Sequence, residues 1–314
     1  MPRKLILILF IVFATSGPAS ADPFSVYFLG EAIASAEGGT SQNNFVYTCN
    51  TGVCTANVGG NAFLPITSFS GSLSAQSAGF VPDYYVCGQD PDGNPILCGL
   101  GQTATASLSG SVGLGVMSAF AGAQTINDTT PDGAALGAQA TALVEESWRD
   151  TVTISTNNPA LLGTAANILV SFNLSGSVSG TPGGPGCPGT GLSYLESNTN
   201  GSLPAIFTQI GQGGLLGGCT DVTSGAAVWQ VTVGQSYIVG ADLTALAEAV
   251  NPNSKGSVDP PQSTLYLDPQ TAGIFLASAG GSNYSTPTVP EPSSIVLLVT
   301  GLAIIGGLVR RSVG

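Results

Sequence analysis

The stretch ILVSFNLSGSV, residues 168–178, decides the fold because apolar and polar side chains alternate along it. Its even-numbered positions are apolar or glycine, and its odd-numbered positions are mostly polar. Side chains of a β-strand point alternately to the two faces of a sheet, so a period of two predicts a strand with one buried face. This pattern is typical of antiparallel sheets that cover a core on one side and meet solvent on the other.

The same alternation extends to at least two further segments. One contains apolar even positions over residues 106–120, namely Ala106, Leu108, Val112, Leu114, Val116 and Phe120. The other sets apolar odd positions, namely Ala227, Trp229, Val231 and Val233, against Gln230 and Thr232. Trp148 and Trp229 both fall on apolar faces, which predicts core packing for the two tryptophans.

Alanine-rich segments leave helix and strand in competition. Residues 134–154 contain alanines that suit a helix, yet their even positions are apolar with a period of two. We predict a long strand there, with a break near Glu146. Residues 203–210 and 243–250 are candidates for short helices at the edge of a β structure.

Clusters of Gly, Pro, Asn and Asp separate the predicted strands, as turns require. They lie at residues 157–159, 181–186, 211–218 and 251–253. Many short strands joined by such turns predict an all-β fold, an antiparallel two-sheet sandwich of jelly-roll-like type. We assign residues 22–281 to this body, as one domain or as two stacked halves.

The N-terminus has the features of a secretory signal peptide. Arg3 and Lys4 precede an apolar run at residues 5–14, and small residues at 19 and 21 predict cleavage after Ala21. Residues 1–21 are therefore assigned to the leader, and the mature protein is predicted to be exported.

The charge of the remaining chain excludes one class of partner. Between Asp22 and Glu291, Arg149 and Lys255 stand against all 18 acidic residues, which gives a net charge of −16. Nucleic acids are bound through Lys and Arg, so a nucleic-acid partner is excluded, and an anionic membrane surface is disfavoured. Apolar residues make up 43% of the chain, which is enough to form a core.

The six cysteines are predicted to form disulfides, because thiols outside the cytoplasm meet an oxidising environment. Fifteen pairings are possible, and the short local spacings favour sequential ones. The candidate pairs are Cys49 with Cys54, Cys87 with Cys98, and Cys187 with Cys219. A zinc site is disfavoured, since the chain has no histidine and no Cys-x-x-Cys.

The C-terminus combines a short apolar run with a basic end. Residues 282–288 are rich in Ser, Thr and Pro and are predicted to be a linker. Residues 295–309 carry no charge and predict a helix of about 22 Å, short for a bilayer core of about 30 Å. Arg310 and Arg311 place the end of this transmembrane helix on the cytoplasmic side.

In this order, Val289-Pro290-Glu291-Pro292, an apolar helix and Arg310-Arg311 resemble the PEP-CTERM sorting signal of bacterial envelope proteins. The resemblance covers residues 289–311 within a sorting segment assigned to 289–314. It implies recognition of Pro290, Glu291 and Pro292 by an exosortase, a membrane protease-transpeptidase that removes the helix.

The same resemblance implies a place for the protein in the cell. A precursor tethered to the inner membrane passes to the cell surface, outer envelope or extracellular matrix, in association with exopolysaccharide or biofilm. A plain C-terminal membrane anchor is the alternative interpretation of the tail. The strand around Trp148-Arg149-Asp150 resembles bodies of this family only diffusely, and no shared chemistry follows from it.

No catalytic residues are predicted in the body. The absence of histidine removes Ser-His-Asp and Cys-His arrangements. Glycosidases need two carboxylates, which Glu145, Glu146, Asp150 or Glu196 would have to supply. On a strand Glu145 and Glu146 point to opposite faces, and an aromatic content of 7% offers few platforms for sugars. A non-catalytic protein is therefore favoured, with a carbohydrate- or calcium-binding module as the alternative.

A calcium site is the one cofactor hypothesis that the sequence raises. Asp90, Asp92 and Asn94 offer oxygen ligands two residues apart in a turn, as calcium loops do. The competing interpretation is a polar hairpin tip held by Cys87 and Cys98. Glycosylation sequons begin at Asn127, Asn173, Asn200 and Asn283, and such triplets arise easily in this composition.

Overall fold

The computed structural model describes residues 23–49, 52–56, 64–128, 130, 136–180, 193–212, 221–250 and 253–285. Over these residues the chain forms fourteen β-strands and the single 3₁₀ turn Pro159–Leu161. The strands are β1 Phe24–Ala36, β2 Gln42–Cys49, β3 Gly52–Ala56, β4 Ser68–Gln89, β5 Pro95–Gly113, β6 Val116–Asn127, β7 Ala138–Thr156, β8 Ala165–Gly180, β9 Ser193–Gly201, β10 Phe207–Gln212, β11 Ser224–Thr232, β12 Ser236–Ala249, β13 Lys255–Pro269 and β14 Ile274–Ser278. The predicted signal peptide lies outside the described residues.

The strands are arranged in two antiparallel sheets. Sheet A has the order β10-β9-β12-β7-β1-β2-β3, and sheet B has the order β11-β8-β13-β6-β5-β4. Strand β14 also pairs with β7, on the same side as β1. It lies just beyond the first residue of β1, because Ser278 is opposite Val152 of β7 and Phe24 is opposite Asp150. The apolar faces of both sheets contribute to one buried core. The predicted all-β, antiparallel two-sheet architecture is confirmed.

Residues 168–178 lie in the interior of sheet B, as the alternation of their apolar and polar side chains predicts. It belongs to β8, which pairs with β11 on one side and β13 on the other. Ile168, Val170 and Phe172 are fully buried, and Leu174 is nearly so. The alternation in β11 is confirmed in the same way, since Trp229 is buried and the neighbouring Val228 is exposed.

The predicted alternation over residues 106–120 is correct in its first half and wrong in its second. Leu114 and Gly115 form a two-residue turn between β5 and β6, with Gly115 at a positive φ of 85°. Gly113 and Val116 are paired across this turn and share the outer face. Odd positions of β6, beginning with Met117, therefore face the core, and Val116 is partly exposed.

Both predicted helices are wrong where the structure describes them. Residues 243–249 belong to β12, which is hydrogen-bonded to β7 and to β9, and β10 begins at Phe207. Alanines at 245, 247 and 249 fill one face of a central strand, where sheet pairing overrides their helix propensity. The break expected near Glu146 is also absent, because β7 runs from Ala138 to Thr156 without interruption.

Small residues let the two sheets pack closely. A Cβ atom placed on Gly30 of β1 would lie 2.6 Å from Cδ1 of Leu108, which comes from β5 in the other sheet. That distance is shorter than any van der Waals contact, so the Leu108 side chain occupies the space that a side chain at position 30 would need. The pairing of a large residue, Leu108, with a small one, Gly30, thus sets how the two sheets pack at this point.

Candidate functional site

Asp150 holds the C-terminal segment of the body, residues 278–284, against the sandwich. It lies on the core face of β7 and is 1% exposed. Its Oδ2 accepts hydrogen bonds from Ser278 Oγ at 2.5 Å and from the Tyr284 hydroxyl at 2.8 Å, and its Oδ1 accepts one from the Gly280 amide at 3.1 Å. A buried carboxylate is stable only when it has such donors. Asp150 therefore fastens the segment after β14 to the sandwich.

Tyr284 completes this attachment. Its ring stacks on Trp148 with centroids 5.6 Å apart, and its carbonyl accepts a hydrogen bond from the Leu267 amide at 2.8 Å. Burial, and next the nearby Asp150 carboxylate, raise the pKa of the Tyr284 hydroxyl. The hydroxyl therefore stays protonated and donates to Asp150. Trp148 is fully buried, as predicted for a core residue.

The segment 278–284 shortens the linker that the sequence predicts. Residues 282–285 were assigned to that linker, yet Tyr284 is 3% exposed and the Ser282 amide donates to Ser278 Oγ. Ser285 stands four positions before Val289. The sandwich therefore holds its chain to within a few residues of the predicted sorting motif.

The sorting motif itself lies outside the described residues. This applies to Val289, Pro290, Glu291 and Pro292, to the predicted helix at 295–309, and to Arg310 and Arg311. Within the described part of the chain, no helix has the length and apolar character needed to cross a bilayer.

At the opposite end of the body, β4 and β5 form a long hairpin joined by a disulfide. Cys87 and Cys98 are bonded, with Cα atoms 5.7 Å apart, which confirms this predicted pair. The side chains of Cys49 and Cys54, and residues Cys187 and Cys219, lie outside the described part, so those two pairs stay predictions.

The hairpin tip contains the predicted calcium ligands. Oδ1 of Asp90 accepts hydrogen bonds from the amides of Asp92 and Asn94, and its Oδ2 accepts one from Asn94 Nδ2. These bonds, with the Asn94 side chain first, lower the pKa of the Asp90 carboxyl. Asp90 thus shapes the turn with both oxygens. Among described residues, no three His, Cys, Asp or Glu side chains are grouped as a metal site requires.

A row of acidic side chains lies on the outer face of sheet A. Glu145 of β7 and Glu196 of β9 both lie beside Thr244, which is on the strand between them. The pKa of the Glu145 carboxyl is raised by partial burial and then by the charges of Glu31, Asp242 and Glu196. Like charges gathered on one face thus repel one another at neutral pH.

Asp242 anchors the polar part of this face. It accepts hydrogen bonds from Ser147 Oγ, from Asn200 Nδ2 at 2.9 Å and from Asn198 Nδ2 at 3.1 Å. These donors come from the strands on both sides of β12, so they lock β7, β12 and β9 together at this level. Local sequence patterns do not identify Asp242, because its donors are 42 to 95 residues away along the chain.

The sequon asparagines differ in their accessibility. Asn127 is 5% exposed and donates to the carbonyl of Leu136, and Asn200 holds Asp242. Asn173 and Asn283 are exposed. Accessibility alone therefore leaves the last two as acceptors for a glycan.

Glu146 is another carboxylate that the body buries. It is 1% exposed, and its Oε2 accepts a hydrogen bond from the Ser118 amide at 3.1 Å. Its Oε1 has no hydrogen-bond partner. Burial raises the pKa of the Glu146 carboxyl well above its usual value. Burial thus favours the neutral form of a carboxyl that lies between the sheets.

The four candidate glycosidase carboxylates do not share one site. Glu146 and Asp150 lie on the core face of β7 and are both 1% exposed. Glu145 lies on the outer face of the same strand, and Glu196 lies two strands away on that face. The prediction that Glu145 and Glu146 point to opposite faces is confirmed.

Comparison with protein-family models gives no match for this chain, and comparison with curated proteins gives none either. The resemblance to a PEP-CTERM signal therefore depends on residues 289–311 alone.

Proposed function

We propose that this chain is a non-catalytic exported protein of the bacterial envelope or extracellular matrix, sorted through its C-terminus by an exosortase-type enzyme. Its precursor is tethered to the inner membrane, and its released body associates with exopolysaccharide or biofilm. The observation that carries the proposal is the order of elements: a leader, a β body held together to Tyr284, and a Pro-Glu-Pro motif beginning at Pro290.

The attachment of Tyr284 to Asp150 supports the proposal that the tail is removed and the body is released. Because the body is held closed at Asp150, cleavage near Pro290 removes the tail and leaves the sandwich with its core intact. The disulfide between Cys87 and Cys98 fits a protein that works outside the cytoplasm, where reducing systems are absent.

The strand order supports a jelly-roll arrangement for β6 to β13. In sheet B these strands run β11-β8-β13-β6, and in sheet A they run β10-β9-β12-β7. The chain therefore crosses between the sheets at every connection except that from β9 to β10, as in two interlocked Greek keys. Strands β1 to β5 then extend both sheets at one side.

The chemistry of the buried acids supports a role without catalysis. Glu146 and Asp150 are enclosed by the core, and Asp150 is engaged by Ser278, Gly280 and Tyr284. A general acid must reach the bond that it protonates. Both carboxyl groups are enclosed instead, and Asp150 holds the segment 278–284 against the body.

A carbohydrate- or calcium-binding module of the cell surface is the alternative function. The ordered turn at Asp90 favours it, because oxygen atoms are concentrated at an exposed hairpin tip. Calcium at millimolar concentration would then raise the melting temperature of the wild-type protein and leave that of Asp92→Ala unchanged.

Fractionation of producing cells tests the proposed sorting. We expect wild-type protein in the surrounding matrix and a Glu291→Ala variant in the membrane fraction, because the motif that the enzyme recognises is then lost. Pro287→Ala, which changes a proline just outside the motif, is the matched control and should fractionate like wild type. Identical fractionation of Glu291→Ala and wild type would contradict the proposal.

A further inference from the structure

The outer face of sheet B carries an exposed apolar strip at the base of the β4–β5 hairpin. It consists of side chains that are each about half or more exposed, at positions that face away from the core: Phe80 60%, Val86 58%, Ile126 54% and Leu97 48%. Val86 lies opposite Leu97, and Phe80 lies opposite Gly101. A contiguous exposed apolar strip of this kind marks an interaction surface more often than scattered single residues do.

Two glycines of β5 shape this strip. A Cβ atom on Gly99 would lie 2.2 Å from Cζ of Phe80, so the far edge of the ring occupies the space above Gly99. A Cβ atom on Gly101 would lie 3.0 Å from Oδ2 of Asp128. Gly99 and Gly101 are two positions apart on one strand, so their Cβ directions point to the same face. The ring and the carboxylate therefore lie side by side.

Both groups are held in place. Asp128 and Gly101 exchange two hydrogen bonds, one from the Gly101 amide to Oδ2 at 3.0 Å and one from the Asp128 amide to the Gly101 carbonyl at 2.9 Å. The Phe80 ring lies along β5, and the Cys87–Cys98 disulfide joins the two strands of the hairpin. A preorganised surface loses little conformational entropy when it binds.

We propose that Phe80, with Asp128 beside it, forms a binding subsite for an uncharged polysaccharide. The aromatic ring contacts the C–H face of one sugar, and the Asp128 carboxylate accepts a hydrogen bond from the hydroxyl groups at the edge of that sugar. The inference rests on the proposed function, because a matrix polysaccharide is the ligand that such an exported protein meets.

Charge and backbone pairing favour this occupant over others. Asp83, Asp90, Asp92 and Asp128 belong to or adjoin the hairpin, within a segment of net charge −16, so a polyanion or an anionic membrane is repelled. A second copy carries the same charge. Its addition at the edge of β4 is also opposed, because Ser74 and Gln76 already bond to Asn44 and Gln42.

Affinity electrophoresis of the exported protein, in gels containing dextran or hydroxyethyl cellulose, tests the subsite. We expect wild-type protein to be retarded by at least one of the two polymers. Phe80→Ala should raise the Kd for it about tenfold, because the sugar loses its platform. Asp128→Asn should raise the Kd about threefold, since an amide oxygen still accepts the Gly101 hydrogen bond but lacks the charge.

Two further variants separate recognition from general surface effects. Phe80→Tyr keeps the ring and should bind within about twofold of wild type. Phe275→Ala removes an equally large exposed side chain from β14, 45% exposed, and should leave binding unchanged. Equal losses in Phe80→Ala and Phe275→Ala would overturn the subsite. So would stronger retardation by alginate, binding to anionic lipid vesicles, or self-association that Phe80→Ala abolishes.

The result also distinguishes this inference from the proposed function. A wild-type protein that reaches the matrix but is retarded by neither neutral polymer contradicts the subsite alone. A protein that stays in the membrane fraction, while its retardation depends on Phe80, contradicts the sorting proposal and supports the subsite.

Discussion

Glu146 and Asp150 lie four residues apart on the same face of β7, and both are 1% exposed. Asp150 accepts hydrogen bonds from two hydroxyls and one amide of the segment 278–284. Glu146 accepts from the Ser118 amide through Oε2, while its Oε1 has no partner. Two equally buried acids therefore differ in how completely their oxygens are hydrogen-bonded, and a buried oxygen without a donor is costly.

The environments of Asp150 and Glu146 differ in the groups that neighbouring segments of the chain contribute. At Asp150, Ser278 at the end of β14 and the residues that follow it supply two hydroxyl donors and one amide donor. At Glu146, Phe28 of the paired strand β1 supplies a ring from the same sheet, Ser118 of the opposite sheet supplies a backbone amide, and a Cβ atom on Gly110 would lie only 2.2 Å from Oε1. Asp150 therefore attaches a segment of the chain, whereas burial favours the neutral form of Glu146.

Replacement of Asp150 should have the largest effect. Asp150→Ala removes the carboxylate that accepts from the Ser278 and Tyr284 hydroxyls and from the Gly280 amide, so we expect the free energy of unfolding to fall by about 3–5 kcal/mol. Chemical denaturation measures it. Asp92→Ala, at the exposed hairpin tip, is the control and should change stability by less than about 0.5 kcal/mol without calcium. A loss below about 1 kcal/mol for Asp150→Ala would remove the distinction between the two acids.

The pH dependence of stability is the second test. The folded state raises the pKa of Glu146, so its contribution is fully present below the unfolded value near 4.5 and is lost as pH rises through the folded value. Wild-type stability should therefore decline above pH 4.5, by up to about 1.4 kcal/mol per pH unit. Glu146→Gln should show a flatter profile. Parallel pH profiles of the melting temperature for the two proteins would contradict the raised pKa of Glu146.

Removal of one donor from Asp150 should have a smaller effect. Tyr284→Phe keeps the ring stacked on Trp148 and loses the hydrogen bond to Oδ2, with an expected cost of about 1–2 kcal/mol. Limited proteolysis should then cut within residues 278–285 sooner than in wild type. Tyr47→Phe, in β2, offers a comparison at another buried tyrosine. Unchanged protease resistance of Tyr284→Phe would show that the segment is held by other contacts.

Removal of one charge from the acidic outer face of sheet A should have the smallest effect on stability. Glu145→Gln removes a charge that Glu31, Asp242 and Glu196 repel, so we expect stability at pH 7 to rise by about 0.5 kcal/mol at low salt. The gain should shrink in 0.5 M sodium chloride because salt screens exposed charges. A gain that is independent of salt would point to packing instead of charge.

The sequence predicts local structure well where one face is buried. The alternation at 168–178 predicts β8, and the spacing of Cys87 and Cys98 predicts their bond. Prediction from the local pattern fails over residues 243–249, because alanine is compatible with both a helix and a central strand. A two-residue turn at 114–115 also reverses the inward side of β6 without any change in composition.

The contacts that define the two buried acids are beyond local prediction. Asp150 and Tyr284 are separated by 134 positions, and Glu146 and Ser118 by 28. Only the sheet order brings them together. The position of Phe80 over Gly99 likewise depends on strand pairing.

Removal of the C-terminal tail can be read from the mass of the C-terminal peptide, in protein isolated from the matrix of producing cells and from their membranes. We expect matrix protein to end between Pro290 and Ser294 and to keep the segment through Tyr284 on the body. A peptide that runs intact through Arg310 and Arg311, found only in the membrane fraction, would contradict this expectation and would make the chain a permanently tethered surface domain.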